Sequence, residues 1–182
     1  MIETEHTPNP DTLKFLPGKK VSEAGPVEFL KNQKKISNPL ADKILSLDGT
    51  LMVFFGEDFI TVKKEKKLNW EDLKYGIISE INDYYSKGND IIIKKETNKS
   101  KSKSKESDET INKINEVLDQ KIRPAVARDG GDITFRSFKD GIVTVELKGS
   151  CSGCPSSLMT LKQGVQNLLC HYIPEVKSVK AV

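Results

Sequence analysis

Ten residues near the middle of this chain, Asn98-Lys99-Ser100-Lys101-Ser102-Lys103-Ser104-Lys105-Glu106-Ser107, include no apolar side chain. A stretch that buries nothing cannot offset the entropy of ordering its backbone, so it predicts a solvated, flexible Lys/Ser tether. Patterned sequence flanks it on both sides. The chain is therefore expected to be an α+β protein of two small domains, one over residues 1–93 and one over residues 110–182, with residues 94–109 as the linker. Residues 1–93 carry 13 Lys and Arg against 15 Asp and Glu, the linker 6 against 4, and residues 110–182 carry 10 against 7. None of these balances is the clustered basic face of a nucleic-acid binder, and the Lys run is short and internal, so no nucleic-acid partner is expected. No apolar run is long enough to span a bilayer, so no membrane partner is expected either.

The first domain opens with Thr7-Pro8-Asn9-Pro10, a loop punctuated by two prolines, followed by a short strand around Leu13 and Phe15. Asn38 with Pro39 behind it is the start signal of a helix that ends at Asp48-Gly49. Leu51–Phe55 and Phe59–Lys63, joined by Gly56-Glu57-Asp58, read as a β-hairpin. Asn69 then caps a second helix, whose Trp70, Leu73, Ile77, Ile81 and Tyr84 fall on one face and predict a buried stripe. Ile91-Ile92-Ile93 is an edge-strand candidate. His6 stands alone in a polar segment with no partner at metal-ligand spacing, so it reads as solvated.

The second domain predicts the order helix, strand, strand, helix, strand. Ile111, Ile114, Leu118, Ile122 and Val126 share a helical face, and Pro124 should kink or break that helix because its ring clashes with the carbonyl four residues back. Gly130-Gly131 supplies the turn into two strands, Asp132–Phe138 and Ile142–Lys148, with a hairpin signal at Lys139-Asp140-Gly141 between them. A second helix from Pro155 or Ser156 to Tyr172 should lay Leu158, Leu161, Val165, Leu168 and Tyr172 over the hairpin. A closing strand through Val176, Val179 and Val182 follows.

Between the second strand and the second helix lies Gly149-Ser150-Cys151-Ser152-Gly153-Cys154-Pro155. The spacing lets both thiolates face one centre, and a following helix N-terminus favours the anionic form. Four readings of this pair stand side by side. A dithiol-disulfide oxidoreductase would use Cys151 as nucleophile and Cys154 as resolving thiol, although the domain lacks the βαβ context of that motif. A zinc site within one chain needs four ligands, and Cys170 with His171 are adjacent on a helix, awkward as joint ligands. Cys170 falls opposite the apolar stripe and reads as an unremarkable surface thiol. An iron–sulfur cluster also needs four protein ligands, which two copies of the chain could supply about a two-fold axis. A turn that binds nothing is the last reading, disfavoured because thiols on an open Gly/Ser loop make poor core fillers.

Ile122-Arg123-Pro124, Asp129-Gly130-Gly131-Asp132 and Cys151-Ser152-Gly153-Cys154-Pro155-Ser156-Ser157 together resemble the carboxyl-terminal domain of the NifU-like (Nfu) iron–sulfur cluster proteins. Thr7-Pro8-Asn9-Pro10 with Leu13-Lys14-Phe15, Asn38-Pro39-Leu40-Ala41, and the hairpin before Trp70 resemble the Nfu amino-terminal domain. The resemblance covers nearly the whole chain outside the linker. It implies a non-enzymatic scaffold or carrier that assembles or accepts a cluster, typically [4Fe-4S], bridged between the protomers of a homodimer, and passes it to recipient apo-proteins, with upstream assembly proteins as further partners. The ligands it implies, cofactor and metal alike, are Cys151 and Cys154. Neither Cys170 nor His171 belongs to the motif. The opening Met1-Ile2-Glu3-Thr4-Glu5-His6 is acidic, unlike a transit peptide, and with the resemblance favours a bacterial cytoplasm, with an organelle matrix as the alternative.

Overall fold

The computed structural model describes residues 1–33, 38–89, 92–93, 108–152 and 155–182. The chain divides into two compact units, Met1–Glu96 and Thr97–Val182. Residues 94–107, which hold most of the expected tether, lie outside the described residues. No helix among the described residues is long and apolar enough to cross a membrane.

In the first unit, β1 (Glu3–His6), β2 (Thr12–Leu16), β3 (Val27–Leu30), β4 (Thr50–Phe55) and β5 (Ile60–Lys64) form one sheet in the order β1-β2-β5-β4-β3. Every neighbouring pair is antiparallel. Helix α1 (Pro39–Ser46) begins where Asn38 caps it, its Oδ1 accepting from the backbone N–H of Leu40 at 3.0 Å and of Ala41 at 3.2 Å. Helix α2 (Trp70–Ser86) starts after Asn69, but no side-chain cap bond accompanies that start. Leu73, Ile77 and Ile81 are buried as the stripe requires, against Leu13, Phe15, Val53, Phe55, Ile60 and Val62. Trp70 and Tyr84 lie at the margin of that core, partly buried. Ile91 lies outside the described residues, and Ile93 forms an isolated parallel bridge with Ser22 in place of an edge strand. The two strands missing from the sequence reading, β1 and β3, are the outermost in the sheet. Edge strands make half the pairings and show the weakest alternation, which is why they escaped.

The alternation in β2 also misleads about burial. Thr12 and Lys14, on the face opposite Leu13 and Phe15, are as buried as their neighbours, and so are Thr61 and Lys64. Each buried amine is compensated. Lys14 Nζ lies 3.2 Å from Glu5 Oε2 and over the Phe59 ring, while Lys64 Nζ lies 3.6 Å from Asp11 Oδ1 and over the Trp70 ring.

The second unit follows the expected order. Helix α3 (Asp108–Val117) runs into a π-helical turn (Leu118–Ile122) and then α4 (Arg123–Arg128). Pro124 therefore neither breaks nor ends the helix. The backbone N–H of Arg123 reaches Leu118 O, one residue further back than in an α-helix, and this wider turn sits where the proline ring would otherwise clash. Strands β6 (Gly131–Lys139) and β7 (Ile142–Gly149) pair antiparallel, and β8 (Ser178–Ala181) pairs parallel with β7. Helix α5 (Pro155–Tyr172) joins the hairpin to β8. Its buried line is Val165, Leu169 and Ile173, with Leu158, Leu161 and Leu168 only partly covered and Tyr172 half exposed. The predicted stripe was thus rotated by one residue at its carboxyl end. Both assignments fit the 3.6-residue period, and only the angle at which the helix meets the sheet separates them.

Candidate cluster site

Cys151 is placed by a chain of short-range constraints that begins at Gly149. Gly149 has φ 71°, a left-handed conformation that glycine adopts without strain, and it turns β7 out of the sheet. Ser152 closes the turn, its N–H donating to Gly149 O at 3.2 Å and its Oγ–H to the same carbonyl at 2.9 Å. Ser150 is tied to the other side of the hairpin: its N–H donates to Gly130 O at 3.2 Å, and its Oγ–H donates to Asp129 O. The first residue past these ties is Cys151.

For Cys151, the structure corrects the picture of a thiol on an open loop. Cys151 is only 6% exposed and belongs to the apolar core of its unit with Ile133, Val145, Leu147 and Val165. The physical reason lies across the hairpin, where Gly131 pairs with Gly149. A Cβ at position 131 would stand 2.8 Å from Cys151 Sγ and 2.7 Å from Lys148 O. Without that Cβ, the sulfur fits against the strand. The glycine pair expected to form one turn thus splits its duties. Gly130, with φ 79°, makes the turn, and Gly131 is already in β6, where it provides space.

Behind Gly131 stands an ion pair that sequence reasoning did not assign. Arg123 holds Asp132 with two bonds, Nε to Oδ1 at 2.9 Å and Nη2 to Oδ2 at 3.1 Å, and its Nη1 reaches Asp119 Oδ1 at 2.9 Å. The Asp132 side chain is almost fully buried. The hydrogen bonds from Arg123 to Asp132, and then to Asp119, raise the guanidinium pKa against the opposing effect of burial. The signal in the sequence was an Arg and an Asp nine residues apart across a Gly-Gly turn. The fold brings them together across that turn, where α4 packs against β6.

Gly153 and Cys154 lie outside the described residues, and α5 begins immediately after them at Pro155. Cys170 is at the far end of α5, roughly 22 Å from its start at 1.5 Å per residue. Its Sγ lies 3.7 Å from Lys177 O, and the residue packs partly against the core. It is therefore no plain surface thiol, and His171, the next residue, is exposed. Among the described residues, no group of three or more His, Cys, Asp or Glu side chains could hold a metal ion. His6 lies exposed on β1 opposite Leu13, as a solvated residue should.

A two-unit α+β chain whose second unit seats a C-x-x-C cysteine at a strand-to-helix turn defines a narrow class, and comparison with known proteins identifies it. The NifU-like domain family matches residues 114–180, and the family described as scaffold protein Nfu/NifU N terminal matches residues 2–88. The human protein named NFU1 iron-sulfur cluster scaffold homolog, mitochondrial, is 46% identical over 100% of this chain and 71% of its own length. NifU-like protein 4, mitochondrial, of Arabidopsis thaliana is 44% identical over 98% of this chain and 65% of its own length. The solution structure of a NifU-like protein from Saccharomyces cerevisiae aligns with a TM-score of 0.48 at 25% identity, over 53% of this chain and 86% of that one. This chain belongs to the Nfu family of NifU-like proteins.

The comparisons overturn one expectation. Relatives from human, plant and fly are all named mitochondrial, which points to an organelle and away from a bacterial cytoplasm.

Proposed function

We propose that this chain is an iron–sulfur cluster scaffold and carrier, that Cys151 and Cys154 are its ligands, and that the cluster is its cargo, delivered to recipient apo-proteins. One observation carries the reading: in a member of a family whose relatives are named cluster scaffolds, Cys151 is seated where β7 turns toward the amino end of α5. A helix start favours thiolate over thiol, the form that binds iron. Cys151 and Cys154 supply two of the four protein ligands a [4Fe-4S] cluster takes, so the loaded state is a homodimer with two cysteines from each copy.

Transfer is a ligand exchange. A recipient thiolate forms a bond to iron, a bond from iron to Cys151 or Cys154 breaks, and the departing thiolate takes a proton from solvent. No oxidation is involved. Loading falls as pH drops, because ligand thiols must lose their protons to bind. Residues 1–93 and 110–182 act as separate domains on the linker 94–109, the first raising the local concentration of a recipient or assembly partner around the second.

Anaerobic reconstitution, with iron and acid-labile sulfide counted per chain and the mass measured in solution, tests this reading. The expected product is a dimer with one cluster, and Cys154→Ala abolishes its visible absorbance while the apo fold persists. A monomer saturated by one zinc ion, with no sulfide, would exclude the carrier role.

A further inference from the structure

We infer that Gly131 is a positioning residue for Cys151: the space left by its missing Cβ is the seat in which the sulfur rests, and the depth of that seat governs how readily this ligand is exposed and exchanged. The inference rests on the ligand assignment proposed above, and it adds a residue, and a reason for glycine there, that turn formation does not supply.

Gly131 has no positive φ, so its identity is not demanded by backbone conformation. What demands it is contact. A side chain would strike Cys151 Sγ at 2.8 Å, Cys151 Cβ at 3.3 Å and Lys148 O at 2.7 Å. The carbonyl belongs to the paired strand and cannot move far, so the cysteine has to give way. Neither wall is loose. Gly131 and Asp132 pair with Gly149 and Lys148, the Arg123 fork holds the Asp132 carboxylate, and Ser150 is bonded to Asp129 and Gly130 on the facing side. A ligand whose supporting groups are this fixed is preorganised, and a shift of about 1 Å in such a group is enough to change its chemistry strongly.

Helix α5 provides the control. A Cβ at Gly164, which is exposed and has no positive φ, would meet nothing within 4 Å.

The test compares alkylation of Cys151 with that of Cys170 in the apo full-length chain, by iodoacetamide pulses read by peptide mass spectrometry, together with cluster loss to an iron chelator from the reconstituted protein. In the parent chain Cys151 reacts more slowly than the half-buried Cys170. Gly131→Ala speeds Cys151 alkylation about tenfold relative to Cys170 and shortens cluster retention by a similar factor, as expected for a misplaced ligand. Gly164→Ala changes neither ratio nor retention. A general loosening of the fold speeds both cysteines together, and that outcome in Gly131→Ala overturns the inference, as does an unchanged ratio. If Gly131→Ala does not fold, the parent chain still decides: Cys151 reacting as fast as Cys170 overturns the seat. A chain that never loads cluster removes the carrier reading, while the alkylation ratio still judges the seat on its own.

Discussion

Each unit of this protein has a glycine into whose empty side-chain space a neighbour is packed, and the two differ in what fills it. In the first unit, the space beside Gly56 at the end of β4 is taken by the Phe59 ring, and the Gly56 N–H donates to Phe59 O at 2.9 Å. That ring stacks at 5.9 Å from Phe54 and lies under the Lys14 amine at 4.9 Å, so the close approach serves packing. In the second unit, the space beside Gly131 holds the sulfur of Cys151. The same local device closes a hairpin in one place and seats a reactive group in the other. The first unit holds none of the three cysteines of the chain. A crowded glycine therefore has to be judged by the chemistry of the atom that crowds it.

Perturbations of the two units should separate along that line. The largest effect is expected from Arg123→Met, which leaves the buried Asp132 carboxylate without its fork and should cost the second unit about 2 kcal/mol, less than a fully buried pair because Arg123 is partly solvated. Arg123→Lys restores charge but not two-point geometry and should recover only part of this, as urea unfolding of the two variants will measure. Next is Gly56→Ala, expected to destabilise the first unit by roughly 1–2 kcal/mol through overpacking against Phe59. Its cluster loading should match that of the parent chain, and a loss of loading would break the comparison.

The smallest effect concerns alkaline pH. Burial, and then the neighbouring Tyr84, push the Tyr85 phenol up from its ordinary value to about 12. The folded state then holds a proton that the unfolded chain gives up near pH 10. The associated stability is present below pH 10 and is lost as pH rises toward about 12. Tyr85→Phe should remove that part of the alkaline decline in the first unit, followed by its thermal midpoint across this range, and leave the second unit unchanged.

Much of the fold was legible because periodicity and punctuation agreed. Asn38-Pro39 marked a capped helix, Leu73, Ile77 and Ile81 marked its partner, and Val143, Val145 and Leu147 marked the strand leading to the cysteines. The edge strands β1 and β3 were not legible, since short runs with one paired neighbour show little alternation. The burial of Lys14 and Lys64 was not legible either, because a charged residue at an outward position is taken as solvated unless its carboxylate partner, far away in sequence, is known.

By itself the sequence determined the order of elements in the second unit, the place of the cysteine pair between a strand and a helix, and the family, since these depend on local spacing and residue type. Tertiary structure alone decided that Cys151 is buried, that Gly131 is glycine for the sake of space, that Pro124 is absorbed by a wider helical turn, and that Arg123 grips Asp132. Each of those depends on atoms brought close by the register of β6 against β7 or by the winding of α3 into α4. Distances of that kind are set by packing, and no pattern along the chain encodes them until the strands have met.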